Sequence, residues 1–215
     1  MKKKVSVLQC TLTVIAVVCL LLSNIIVIKQ VQLPFGIEVT GGFFIFPITY
    51  ILSDVFSEVY GYKWSRFTCY LSFALAVFMS IIFAAVVASP STSYFALQPQ
   101  LEAVLGNTPR MVFASLTAFA VGDFFNDKVF HIMKKSRQSH QGFALRAIMS
   151  SIAGGLGDTF IFYIIAFIGT PNFIPLFFVT LFELVLKIVY EIIVLPVTKV
   201  VMHKVSEYES NLKDS

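Results

Sequence analysis

Two carboxylates stand four residues apart, Asp54 and Glu58, within the long apolar run from Gly41 to Gly61. On a helix that spacing puts both on one face. A carboxylate at bilayer depth costs roughly 2.5–3.5 kcal/mol on insertion scales, so two on one face require a polar cavity, a cation or a ligand. A second charged stripe repeats at the same spacing: Glu183, Lys187 and Glu191. There Lys187 can pair with either glutamate and lower the cost. A third set, Asp123, Asn126 and Asp127, shares a helical face, and Asp158 lies near the middle of another apolar run. The chemistry on offer is recognition: carboxylates accept N–H donors and cations accept lone pairs. The alternative for each set is a locked ion pair that fixes helix packing.

The elements that must carry these groups are membrane helices. The chain has 215 residues, 57% hydrophobic and 13% charged, with mean hydropathy +0.84. Soluble domains carry about 25% charged residues. The length suits one membrane domain, because each crossing takes ~20 residues and a short loop. Apolar stretches place six spans at roughly 8–28, 42–60, 67–89, 110–132, 144–169 and 173–201. The expected fold is an all-α integral membrane protein, a single six-helix bundle over residues 1–215. Lys2, Lys3 and Lys4 before the first span mimic a signal peptide. The apolar run is too long for one and lacks a small-residue cleavage site, so it reads as a retained helix.

Lys and Arg give the orientation. With the N-terminus inside, eleven fall in cytoplasmic segments, among them Lys63 and Arg66 in the second loop. Only Lys29 and Arg110 fall outside. Both termini are therefore expected in the cytoplasm. The net charge of +4 reflects this topology rather than a nucleic-acid surface.

Details along the chain refine the picture. Gly41-Gly42 and Pro47 predict a kink or partial break in span 2. The stretch from Tyr94 to Leu105 has enough apolar residues for a short interfacial helix within the longest loop. Gly154, Gly155 and Gly157 allow close helix approach in span 5. Ser115 with Gly122-Asp123, and Ser150 with Gly157-Asp158, repeat a faint pattern at equal spacing. The residues after Val205 read as a polar tail.

Seven acids fall within the spans: Asp54, Glu58, Asp123, Asp127, Asp158, Glu183 and Glu191. The basic groups inside them are Lys128, Arg146 and Lys187, apart from Lys199 at a cytoplasmic end. Pairing is therefore incomplete, and a ligand with donors is one way to complete it. Arg146 lies twelve residues before Asp158, ~18 Å along a helix, so the two belong to different layers. Cys10, Cys19 and Cys69 form no metal-type pair, and His131, His140 and His203 fall at cytoplasmic ends. No hydrolase or metalloprotease motif is present, so no enzyme activity, metal or cofactor is expected.

The run Phe46-Pro47, Tyr50, Ser53-Asp54, Glu58-Val59-Tyr60-Gly61 resembles the helix-2 signature of the queuosine precursor transporters, the vitamin uptake transporter family. The resemblance continues in Ser115 and Gly122, in Arg146, Ser150, Ser151 and Asp158-Thr159, and in Lys187, Tyr190-Glu191 and Pro196. It covers about 40 to 200. This chain has Gly155 where many members carry Gln or Glu, and Asp123 where others carry Gln. The resemblance implies uptake of a 7-deazaguanine base (preQ0, preQ1 or queuine) across the inner membrane for tRNA modification. A guanine-like edge offers two adjacent N–H donors that one carboxylate can accept. Phe46 and Tyr50, on the Asp54 face, could stack on the flat ring. The expected substrate-binding set is Phe46, Tyr50, Asp54, Glu58, Asp123, Asn126, Arg146, Asp158, Glu183, Lys187 and Glu191. Partners are the nucleobase and the lipid bilayer, with no nucleic acid; monomer and homodimer are both compatible. The competing function is a substrate-binding membrane subunit of an ATP-driven uptake complex.

Overall fold

The computed structural model describes residues 5–136 and 143–214. Seven α-helices make up most of it: α1 Val7–Ile26, α2 Phe46–Val55, α3 Tyr62–Ala88, α4 Gln98–Leu105, α5 Thr108–Ser136, α6 Phe143–Phe167 and α7 Phe173–Asp214. Among the described residues, α1, α3 and the segment Phe173–Tyr190 of α7 are long and apolar enough to cross a membrane; α6 contributes a shorter apolar stretch, Ile152–Phe167. At 1.5 Å per residue, α5 is also long enough, about 43 Å, but Asp123, Asp127 and Lys128 interrupt its apolar character.

The region around span 2 departs from a plain helix. After α1 the chain makes a short antiparallel hairpin, β1 Gln30–Gln32 with β2 Glu38–Thr40, in which Val31 faces Val39. This stretch reads as loop in the sequence, since three-residue strands carry too little alternation to register. A 3₁₀ turn Gly41–Phe44 follows, then α2, then a single π-helical turn Phe56–Tyr60. Gly41 is needed because a Cβ there would stand 2.2 Å from the Ile26 carbonyl oxygen. Gly61 ends the π turn at φ +84°, a conformation that glycine adopts freely, and starts α3. The expected single span 42–60 is thus broken at its N-terminal end and widened at its C-terminal end.

The helices pack pairwise, and α5 against α6 is the most extensive pairing. One apolar cluster brings together Val27, Met111, Ala114, Tyr163, Ala166 and Phe167. Arg110, at the start of α5, donates to the Ile165 carbonyl at 2.7 Å and to the Ile168 carbonyl. Its cation therefore satisfies the exposed C-terminal carbonyls of α6.

At the opposite end α7 runs on to Asp214, beyond the expected span and into the stretch read as a polar tail. The extension has a partner. Glu209 accepts from the Ser6 hydroxyl and, at 2.9 Å, from the Tyr60 hydroxyl. Ser6 is also the N-cap of α1, accepting from the Gln9 amide at 2.9 Å. One carboxylate thus joins α1, the π turn and α7. The longest loop, which reads equally as a plain connection, holds the short helix α4 at the end of the stretch from Tyr94 to Leu105, with no buried residue.

Candidate functional site

Glu183 is the most enclosed of the described acids, at 5% exposure. It lies one turn before Lys187 on α7, and its carboxylate accepts the backbone N–H of Thr40, at the end of β2. Lys187 interacts electrostatically with Glu183 and with Asp158 on α6. One cation therefore serves two acids from two helices. The stripe pattern foretold the Glu183–Lys187 pair but gave no sign of Asp158 or of the Thr40 amide, because both partners come from other elements. The Glu191 side chain lies outside the described residues.

A second ion pair joins α3 to α5. Arg66 Nη1 donates to Asp123 Oδ2 at 3.0 Å and Nη2 donates to Oδ1 at 3.2 Å. Arg66 Nε also donates to the Tyr62 hydroxyl at 2.9 Å. This corrects the placement of Arg66 in a loop: it sits on the second turn of α3 and reaches back across the bundle. The charge balance changes accordingly, with one more cation among the acids. A hint was available, because Gly61 is a natural helix boundary, so Arg66 falls inside the following helix.

The two pairs are linked through the α5–α6 seam. A Cβ on Gly122 would stand 2.9 Å from Asp158 Cβ and 2.9 Å from the Gly154 carbonyl oxygen. Gly157 in turn faces the Phe125 ring, at 2.8 Å from its would-be Cβ. The repeated Gly-Asp dipeptides therefore meet each other, running antiparallel. Asp123, next to Gly122, lies within about one helical turn of the level of Asp158. The Thr159 hydroxyl, beside Asp158, is buried without a hydrogen-bond partner among the described residues. It lines a small cavity of about 80 Å³ between α6 and α7, with Phe160, Tyr163, Phe177 and Thr180. A larger, open groove of about 470 Å³ runs between α1 and α7 beside Lys204 and Tyr208, away from these charges.

Asp54 is on the last turn of α2 and Glu58 in the π turn. They remain neighbours, close enough for their charges to interact. Both are exposed, and neither has a cationic partner among the described residues. The structure does not join them to Lys187 or Arg66. The side chains of Phe46, Tyr50, Asn126 and Arg146 lie outside the described residues. The helices α2 and α7 pack directly, so the Asp54 element and the Glu183–Lys187 element are adjacent. Among the described residues no group of His, Cys, Asp and Glu is arranged to hold a metal ion.

The arrangement is that of a helical membrane protein with charged residues paired across its helices, a form suited to polar solutes. The family model described as "Putative vitamin uptake transporter" matches residues 40–201, and the chain belongs to that family. It is a family of transporters and not of enzymes. The chain is 30% identical over 154 residues to the "Probable queuosine precursor transporter" of Bacillus subtilis, covering 72% of this chain and 66% of that protein. It is 26% identical over 145 residues to the "Queuosine precursor transporter" of Escherichia coli, covering 66% of this chain and 62% of that protein. No solved structure matches the chain significantly. The family match begins at the end of the hairpin and takes in both ion pairs, but neither Ser6 nor Glu209.

Proposed function

We propose that this protein takes up queuosine precursors, flat 7-deazaguanine bases, across the bacterial inner membrane as a multi-pass transporter. In this reading six segments cross the bilayer and both termini face the cytoplasm. The observation that carries it is Lys187 interacting electrostatically with both Asp158 and Glu183, within the stretch that the family model matches. A cation flanked by two acids is overcharged with acceptors, and a neutral ligand rich in N–H donors relieves the excess.

The acids then divide the work. Asp54 and Glu58, without a cationic partner among the described residues, accept other N–H donors of the base. Asp158, Glu183 and Lys187 form the polar wall behind it, with Thr159 as a further hydrogen-bonding group. Phe46 and Tyr50 supply stacking surface on the Asp54 helix, and Asn126, Arg146 and Glu191 complete the polar lining. The test is uptake of a labelled 7-deazaguanine base into proteoliposomes holding this protein alone. Accumulation that is abolished by an unlabelled base supports the reading. No uptake by correctly folded protein, across 7-cyano- and 7-aminomethyl-7-deazaguanine and queuine, overturns it.

A further inference from the structure

The Arg66–Asp123 pair is built as a fork on a flat support. Two parallel N–H groups of one planar cation meet both oxygens of one carboxylate, at 3.0 and 3.2 Å. The guanidinium carbon lies 5.1 Å from the centre of the Tyr62 ring, and Nε is anchored on the Tyr62 hydroxyl. The pair is not sealed by packing, since the two side chains keep 23% and 37% of their surface exposed. It also stands within about a turn of the Asp158 level, through the Gly122 contact. A pair that only locked α3 to α5 would need no open face and no aromatic support.

We propose that Asp123 is an acceptor for a flat ligand carrying two parallel N–H donors, and that Arg66 is an internal competitor displaced when that ligand binds. A guanidinium and the 2-amino-pyrimidinone edge of a deazaguanine present the same kind of donor pair to a carboxylate. The exchange replaces two hydrogen bonds by two; the ionic attraction it gives up is offset by the ligand's other contacts, and Arg66 keeps its anchor on Tyr62. It also selects, because a ligand with one donor cannot replace a two-pronged occupant without loss. Arg66 thereby becomes a specificity-determining residue. The identity of the ligand as a deazaguanine rests on the reading above; the exchange itself rests on the geometry of the fork.

The experiment uses the full-length protein purified in detergent, with two probes: 7-cyano-7-deazaguanine, and benzamidine, a flat ring with the same donor pair. Apparent affinity falls with the fraction of protein whose acceptor is filled internally. If Arg66 fills Asp123 nine-tenths of the time, Arg66→Ala should bind benzamidine roughly tenfold more tightly than the unaltered protein. Adding Asp123→Asn should erase the gain. Folded Arg66→Ala protein with unchanged or weaker benzamidine affinity overturns the proposal. Should Arg66→Ala fail to fold, Arg66→Lys decides: it keeps the charge and loses the fork, so benzamidine binding must tighten, and unchanged binding again overturns the exchange. Tighter benzamidine binding with no binding of the deazaguanine by any variant would sustain the exchange and remove the deazaguanine reading.

Discussion

Gly122 lies directly against Asp158: a side chain at Gly122 would begin 2.9 Å from the Asp158 Cβ, with the Gly154 carbonyl oxygen equally near. The charged layer thus depends on a residue that has no chemistry of its own. The carbonyl is backbone and cannot rotate away, so Gly122→Ala must push α5 from α6. Overpacking of this kind costs about 1–3 kcal/mol. The expected result is a lower thermal midpoint for purified Gly122→Ala, together with reduced uptake. Gly155→Ala is the control, since its new Cβ would meet only the terminal methyl of the Leu184 side chain, Cδ1, at 3.3 Å. Equal stability of the two variants would refute this account of the seam.

Lys187 neutralises acids from two helices, so its loss strands both. Removing one partner of a buried pair costs about 3–5 kcal/mol in general. Lys187→Ala should therefore be poorly folded as well as inactive. Adding Asp158→Asn and Glu183→Gln together should restore folded yield without restoring uptake. Yield that stays low in the triple variant would show that Lys187 is needed for something other than charge balance.

Asp54 has no cationic partner among the described residues, which separates its role from that of Lys187. Asp54→Asn keeps the size and turns one acceptor into a donor facing the ligand's donors. The expected loss is about 2–4 kcal/mol, roughly 30- to 1000-fold in affinity. Yield and thermal midpoint should hardly change. Wild-type affinity for a deazaguanine in folded Asp54→Asn protein would remove Asp54 from the site.

Glu209 ties three elements together through Ser6 and Tyr60. Glu209→Ala should lower stability by about 1–3 kcal/mol, since hydrogen bonds to a charged group are worth more than neutral ones. Cysteines at 6 and 209 should cross-link readily in membranes from intact cells. A pair that fails to cross-link under oxidant would contradict the contact. Orientation has its own test: a reporter fused after Ser215 should read as cytoplasmic, as the excess of Lys and Arg in the segments expected inside predicts.

How far these features are legible in the sequence depends on whether the signal is local. The Glu183–Lys187 spacing and the break around Gly41 and Pro47 are periodicity and backbone facts, readable from neighbours in the chain. The transporter family is legible too, in the Asp54-to-Gly61 run. Arg66 was misplaced because a charge beside an apolar run looks the same whether it faces lipid headgroups or reaches Asp123, 57 positions away. The continuation of α7 was hidden for a similar reason. Its last turns are polar, and the contact of Glu209 with Ser6 and Tyr60 gives them a place. The repeat Gly122-Asp123 and Gly157-Asp158 was visible as a pattern, but its meaning, two dipeptides meeting across a seam, needed the third dimension.

The hydrogen bond from the Thr40 amide to Glu183 has a genetic consequence. The donor belongs to the backbone, so replacing Thr40 with almost any residue leaves it in place. Only proline deletes the N–H. A scan of side chains at position 40 reads only the packing of this buried residue and leaves the backbone donor in place. The hairpin's backbone hold on the buried acid therefore survives alanine substitution, and Thr40→Pro is the exchange that deletes it.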